Sequence, residues 1–146
     1  MKQKLSKHLN DLIESKITYS RAGGGAGSII SMELNNKNLI YALWIECTWR
    51  IENKNKVVAT SADDIEPVTG LISKSIKMLE GKIVDSVEVN PFYDLCINFT
   101  DGFRLRIFCI FSYSCKSETN WYLAIPKQNL SYEITNHFEI KQGTYS

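Results

Sequence analysis

The sequence predicts an α+β protein: an antiparallel-rich β-sheet system of about eight strands, with an N-terminal helix and a second helix near 67–80. Three observations predict it. Apolar residues recur at helical spacing in two places, Leu5, Leu9, Leu12 and Ile13, then Val68, Leu71, Ile72, Ile76 and Leu79. Elsewhere the period is two, in runs rich in Ile, Val, Tyr, Phe and Trp that suit a pleated, half-buried surface. Short turn signals, Glu-Asn-Lys-Asn-Lys from Glu52 and Asp101-Gly102, join consecutive runs as hairpins.

Each element follows in order. Residues 3–15 form an amphipathic helix with His8 at the rim of its apolar stripe. "KITYSRA" and "SIISMELN" read as strands on either side of the glycine run. "LIYALWIECTWRIE", from Leu39, is the strongest strand signal. Its alternation places Tyr41, Leu43, Ile45, Cys47 and Trp49 on one face and Ile40, Ala42 and Trp44 on the other, as in a central strand covered on both sides. "VVATS" is its hairpin partner. The acidic stretch Asp63, Asp64, Glu66 reads as N-capping for the second helix, which Gly81 closes. "KIVDSVEVN", "YDLCINFT", "FRLRIFCIF" and "NWYLAIP" complete the strands, and the tail from Ser131 adds a frayed edge. Asp101-Gly102 suggests a type I′ turn.

Bulk properties limit the function. With 146 residues and no visible linker, residues 1–146 read as one domain, and 44% hydrophobic residues supply a core. Seventeen basic residues against sixteen acidic ones leave a net charge of +1, which argues against a nucleic-acid binder. The charged N-terminus is no secretory signal, and no apolar run is long enough for a membrane span, so the expected compartment is the cytoplasm. Cys47, Cys96, Cys109 and Cys115 lack zinc-like spacing; the first three read as buried hydrophobes and Cys115 as the exposed thiol. With His8 and His137 near the termini, no nucleophile has a supported histidine, and neither catalytic residues, metal nor cofactor are expected.

Two constellations remain. "SRAGGGAGSII" lacks the Gly-Lys-Ser/Thr ending of a P-loop, and the segment after it reads as a strand, so no helix dipole is on offer. It is either a flexible strand connection or an anion nest of Arg21, Gly23, Gly24, Gly25, Gly27 and Ser28. The second group is aromatic: Phe92, Tyr93, Phe111, Tyr113 and Tyr122 form either an interaction patch or a second core layer. Apart from these two, Glu46-Cys47-Thr48-Trp49-Arg50 reads as a structural anchor, ring inward and guanidinium paired at the rim.

Four segments carry a resemblance: "SRAGG", "LWIECTWRIENKNKVVATSADD", "LCINFTDGFRLRIF" and "ETNWYLAIP". In this order they resemble a family of small uncharacterised bacterial proteins whose members carry a strand ending in Cys-Pro-Trp-Arg, then an Asp-Gly hairpin and a Trp strand. Thr48 stands where the family has proline, and the acidic run before the final tryptophan is reduced to Glu118. The resemblance implies a bacterial cytoplasmic α+β protein and transfers no catalytic residue. Small proteins of this build resemble toxin-immunity proteins at the level of fold.

The reading is a non-enzymatic protein-binding domain, in its most specific form an immunity-type inhibitor of a bacterial toxin. Tyr93, Arg104, Arg106, Tyr113 and Trp121 form its expected interaction surface. The alternative is a small-molecule or nucleotide-binding protein using Arg21 and the glycine loop 23–27. An enzyme using dispersed carboxylates is a third, weaker reading. Exposed edge strands leave room for a homodimer.

Overall fold

The long apolar run from Leu39 is where the fold is decided. It holds its alternation for thirteen residues but serves two sheets. Tyr41, Leu43, Ile45, Cys47, Trp49 and Ile51 all face the core, yet the strand bends at Glu46-Cys47, where both amides donate to one carbonyl, that of Asn120. A strand that turns this corner carries its inward face from one sheet to the next.

The computed structural model describes residues 1–115 and 117–145. Helix α1 (Lys2–Asn10) leads to strands β1 (Lys16–Arg21), β2 (Ile30–Asn36), β3 (Leu39–Ile45), β4 (Thr48–Asn53) and β5 (Lys56–Thr60). Helix α2 (Leu71–Lys77) precedes β6 (Val84–Val89), β7 (Leu95–Phe99), β8 (Phe103–Phe108), β9 (Thr119–Ile125), β10 (Leu130–Thr135) and β11 (Ile140–Gly143). A six-stranded sheet has the order β1-β2-β3-β9-β10-β11, and a five-stranded sheet the order β5-β4-β8-β7-β6. Every pairing in the two sheets is antiparallel.

The class is therefore α+β with antiparallel sheets, as expected, but with eleven strands among the described residues rather than about eight. The surplus has two sources. The bend divides the run from Leu39 into β3 and β4, which adds one, and the tail, expected to give only a frayed edge beyond the eight, supplies two paired strands. Cover on both faces is overturned as well: Ile40, on the outer face of β3, is 42% exposed.

One apolar cluster joins both sheets and both helices. Trp49 and Trp121 are fully buried within it, and the Trp49 indole donates to the Ser28 carbonyl at 2.7 Å. This is the anchor expected of Trp49. At one edge the sheets are stitched together by the amides of Ile17 and Val84, which donate to the carbonyls of Lys82 and Ser15.

The second helix is shorter than 67–80. Val68 sits at φ +65° and is exposed, so it belongs to the preceding turn, and Gly70 is the N-cap. A Cβ on Gly70 would lie 2.5 Å from the Glu66 carbonyl oxygen, so the turn that launches α2 needs glycine. The expected acidic capping is also absent. Asp63 instead accepts the amide of Thr60 and Asp64 that of Glu66, fastening the loop ahead of the helix. The β7–β8 hairpin turns through Thr100, Asp101 and Gly102, with only Gly102 at positive φ, so it is not type I′. That geometry belongs to Lys37-Asn38 between β2 and β3, where both residues have positive φ.

Candidate functional site

Three loops converge at one end of the sheets and carry an aromatic cluster. They are the β6–β7 turn, the segment after β8, and the β10–β11 turn. They are tied together by polar side chains that bond to backbone and to one another. In the first, Asn90 Oδ1 accepts the amides of Phe92 and Asp94, while Asn90 Nδ2 donates to Asp94 Oδ2 at 2.9 Å. Asp94 Oδ1 in turn accepts the Cys109 amide at 2.6 Å, tying this turn to the segment after β8. Asn120, buried, accepts the Ile110 amide and donates to the carbonyls of Ile110 and Thr135. The Ser112 amide then reaches the Asn136 carbonyl, and Asn136 the Glu118 carbonyl.

This scaffold turns rings outward. Phe111 stacks on His137 at 5.0 Å and meets Tyr113 and Phe138 edge-on at 4.8 and 5.1 Å; Phe92 lies 6.0 Å from Phe138. Tyr113 is 83% exposed and Phe92 59%, with Ile110 also exposed beside them. A contiguous aromatic surface on loops tied down in this way is what protein interfaces use as anchors, because less side-chain freedom is lost on contact.

Of the expected surface residues, Tyr113 stands at the rim of this patch, edge-on to Phe111, and Tyr93 is half-buried at its base. Trp121 is not on the surface. It is fully buried, and its indole donates to the Tyr93 carbonyl at 2.9 Å, so it holds the patch from beneath. Tyr122 is elsewhere, stacked at 6.0 Å on Trp44 on the outer face of the six-stranded sheet. His137 and Phe138 were not anticipated. Their signal in the sequence is slight: two rings in a short turn between strand-like segments.

Arg104 and Arg106 project from the outer face of the five-stranded sheet. Arg106 lies directly across from Arg50, and Arg104 across from Glu52. Glu52 serves all three guanidiniums: Oε2 accepts from Arg50 Nε at 2.7 Å and Arg106 Nε at 2.9 Å, and Oε1 lies 3.6 Å from Arg104 Nε. Burial pushes the Glu52 carboxyl up, but the hydrogen bonds and charges of Arg50 and Arg106 outweigh it and hold the group below the usual carboxylate range.

The glycine run meets α2 across a cleft of about 520 Å³, lined by Arg21, Gly23, Pro67, Val68, Ser73, Lys74 and Lys77 among others. It is not an amide nest. The Gly23 amide donates to the Gly27 carbonyl, Gly24 to Ile65, and Gly27 to Gly24, closing a 3-10 turn over Gly24–Ala26. A Cβ on Gly23 would sit 2.2 Å from Ser73 Oγ, so this glycine lets the loop approach the helix. Of the proposed nest residues, only Arg21 and Gly23 reach the cleft. Ser28 instead presents its carbonyl to Trp49, and Gly25 and Gly27 face open space. Glu80 binds Arg21 and accepts from Lys77 at 3.0 Å; Lys77 foremost, then the Ser20 amide and Arg21, draws its carboxyl below the usual range. Lys74 adds a further cation to the cleft wall.

Among the described residues no three His, Cys, Asp or Glu side chains gather as a metal site requires. Nor, among the described residues, is any helix long and apolar enough to cross a membrane. No family model, curated protein or solved structure matches the chain, so its function is read from its own geometry.

Proposed function

We propose that this chain is a protein-binding domain whose contact surface is the aromatic end, centred on Phe92, Phe111 and Tyr113. The observation that carries the reading is the contrast within that end: Asn90, Asp94 and Asn120 tie the three loops to one another and to the sheets, while the rings of Phe92, Phe111 and Tyr113 are exposed. Exposed aromatic area of this kind is unfavourable alone and becomes favourable when a partner covers it. In its most specific form the domain is an immunity-type inhibitor that covers the working surface of a bacterial toxin.

The test uses the chain with Phe92→Ser and Tyr113→Ser together. These exposed substitutions are expected to shift stability by only about 0.5 kcal/mol each. Partners captured from the native host, including the product of the adjacent gene, are purified and titrated against both forms. Loss of at least about tenfold in affinity supports the reading. Equal affinity of the two forms overturns it.

A second reading, a small-molecule or nucleotide site, is favoured by the cleft between Arg21 and α2. Its ligand would meet Lys74, Lys77 and Arg21 rather than bare glycine amides. A thermal-shift series with nucleotides tests it, since a ligand at about a hundred times its Kd adds roughly 2.7 kcal/mol. No shift at saturating concentrations removes this reading.

A further inference from the structure

The outer face of the five-stranded sheet sets three guanidiniums, Arg50, Arg104 and Arg106, against two carboxylates, Glu52 and Glu88. Arg50 and Arg106 are direct cross-strand neighbours. Like charges in that position repel, so the pair is kept together by what lies between them. That group is Glu52, whose side chain is only 12% exposed and which sits among three guanidiniums. Arg104 has the poorest share. Its Nε is sealed from solvent and has no hydrogen-bond partner among the described residues.

The site is also held in place. Arg50 rests over the Phe108 ring at 5.1 Å, and Asn98, across from Arg104 on the neighbouring strand, donates to Ser86 Oγ at 3.0 Å. Guanidiniums set on a sheet lose little freedom on binding, and their forked donors match the two oxygens of a carboxylate. A shallow depression of about 280 Å³ runs from Arg106 and Phe108 to Asn90 and Asp94, the turn that carries Phe92. The arginine face is thus continuous with the aromatic end.

We propose that this face binds an acidic segment of a protein partner, with its carboxylates entering the forks of Arg104 and Arg106. The proposal rests on the protein-binding reading and adds the chemistry of the partner. Charge complementarity selects the occupant. Glu52 at the centre of the face and Glu88 on the strand beyond Cys96 would repel a continuous polyanion such as nucleic acid, whereas separate carboxylates pass between them. The open sheet surface suits an extended segment better than an enclosed small molecule.

The test follows the arginine side-chain Nε–H resonances of the labelled chain by NMR. The probes are a short Glu-rich peptide, the same peptide with Gln for Glu, and inorganic phosphate. The expected result is that the Glu peptide shifts the resonances of Arg50, Arg104 and Arg106 and the Gln peptide does not. Arg104→Gln with Arg106→Gln weakens binding by at least about tenfold, while Lys127→Gln, remote from the face, leaves it unchanged. Arg104→Lys with Arg106→Lys, which keeps the charge and loses the fork, falls between. Equal binding of both peptides, unchanged binding by the Gln variants, or tighter binding of phosphate than of the Glu peptide overturns the proposal. The two readings fail separately. A partner that ignores Phe92 and Tyr113 defeats the aromatic surface, and a partner that requires those rings while the Glu peptide fails to bind defeats the arginine face.

Discussion

The glycine corner and the aromatic end are both made of loops, yet they use backbone and side chain in opposite ways. At the corner, side chains are missing so that backbone can approach: Gly23 packs on Ser73, and its amide and those of Gly24 and Gly27 are spent on nearby carbonyls. At the aromatic end the backbone is pinned by Asn90, Asp94 and Asn120, and the side chains are left outside. The first region is built to be closed by its own chain, the second to be closed by something else. Sequence changes should therefore cost stability at the corner and in the floor of the aromatic end, and cost binding at its rim.

The floor gives the largest effect. Trp121→Ala removes a fully buried ring and the indole bond to Tyr93, and should destabilise the fold by about 3–5 kcal/mol in denaturant unfolding. Tyr113→Ala, a few ångströms outward in the same end, should stay within about 0.5 kcal/mol. A large loss at Tyr113 would mean that the patch is core and erase the contrast.

The corner comes next. Gly23 has φ +94°, and a Cβ there displaces the Ser73 hydroxyl from its 3.1 Å bond to the Ala22 carbonyl. Gly23→Ala should cost about 1–3 kcal/mol. Gly25→Ala meets nothing and is not at positive φ, so it should be neutral or stabilising by up to about 1 kcal/mol. Equal effects at the two glycines would show the run to be a loose connection after all.

These residues also explain what could be read before the fold was known. The glycine run is loud because its signal is local, and reading it against the strand that follows was enough to remove a P-loop. The inward alternation from Tyr41 to Ile51 is equally local and survives the bend; the bend itself depends on Asn120, a residue far along the chain, and so left no trace in the pattern. The aromatic end showed itself only in part: Phe92, Phe111 and Tyr113 stood out as a candidate patch, but their meeting with His137 and Phe138 did not, for the same reason. Phe92, Phe111 and Phe138 lie on three separate loops, and only the pairing of strands brings them together. Trp121 was misplaced because ring size signals importance without signalling side. Its neighbours in β9 alternate poorly, with Leu123, Ala124 and Ile125 all buried.

The arginine face yields a pH-dependent effect of intermediate size. Glu52 titrates below its unfolded value, so its stabilising share is complete above the ordinary carboxylate range and is lost as pH falls through the depressed folded value. Glu52→Gln should cost about 1–3 kcal/mol near neutrality and flatten the acid limb of the stability curve. An unchanged acid limb would place the balancing charge somewhere other than Glu52.

The smallest effect concerns the loops of the aromatic end themselves and leaves stability untouched. Cys115 is exposed, whereas Cys109 is half-buried, donates to the Tyr93 carbonyl at 3.2 Å, and has its thiol pushed up by Cys47 and by burial. Thiol reagents attack the thiolate, and attack follows both its population and its access. A native chain should therefore show one fast-reacting thiol, removed by Cys115→Ser, with Cys109 slow and the buried Cys47 and Cys96 labelled only on unfolding. If Cys109 instead reacts at the rate of Cys115, the segment after β8 opens freely in solution. The rings would then be mobile rather than mounted, and a partner would have to order them as it binds. The rate of that one cysteine separates a preformed surface from one made on contact.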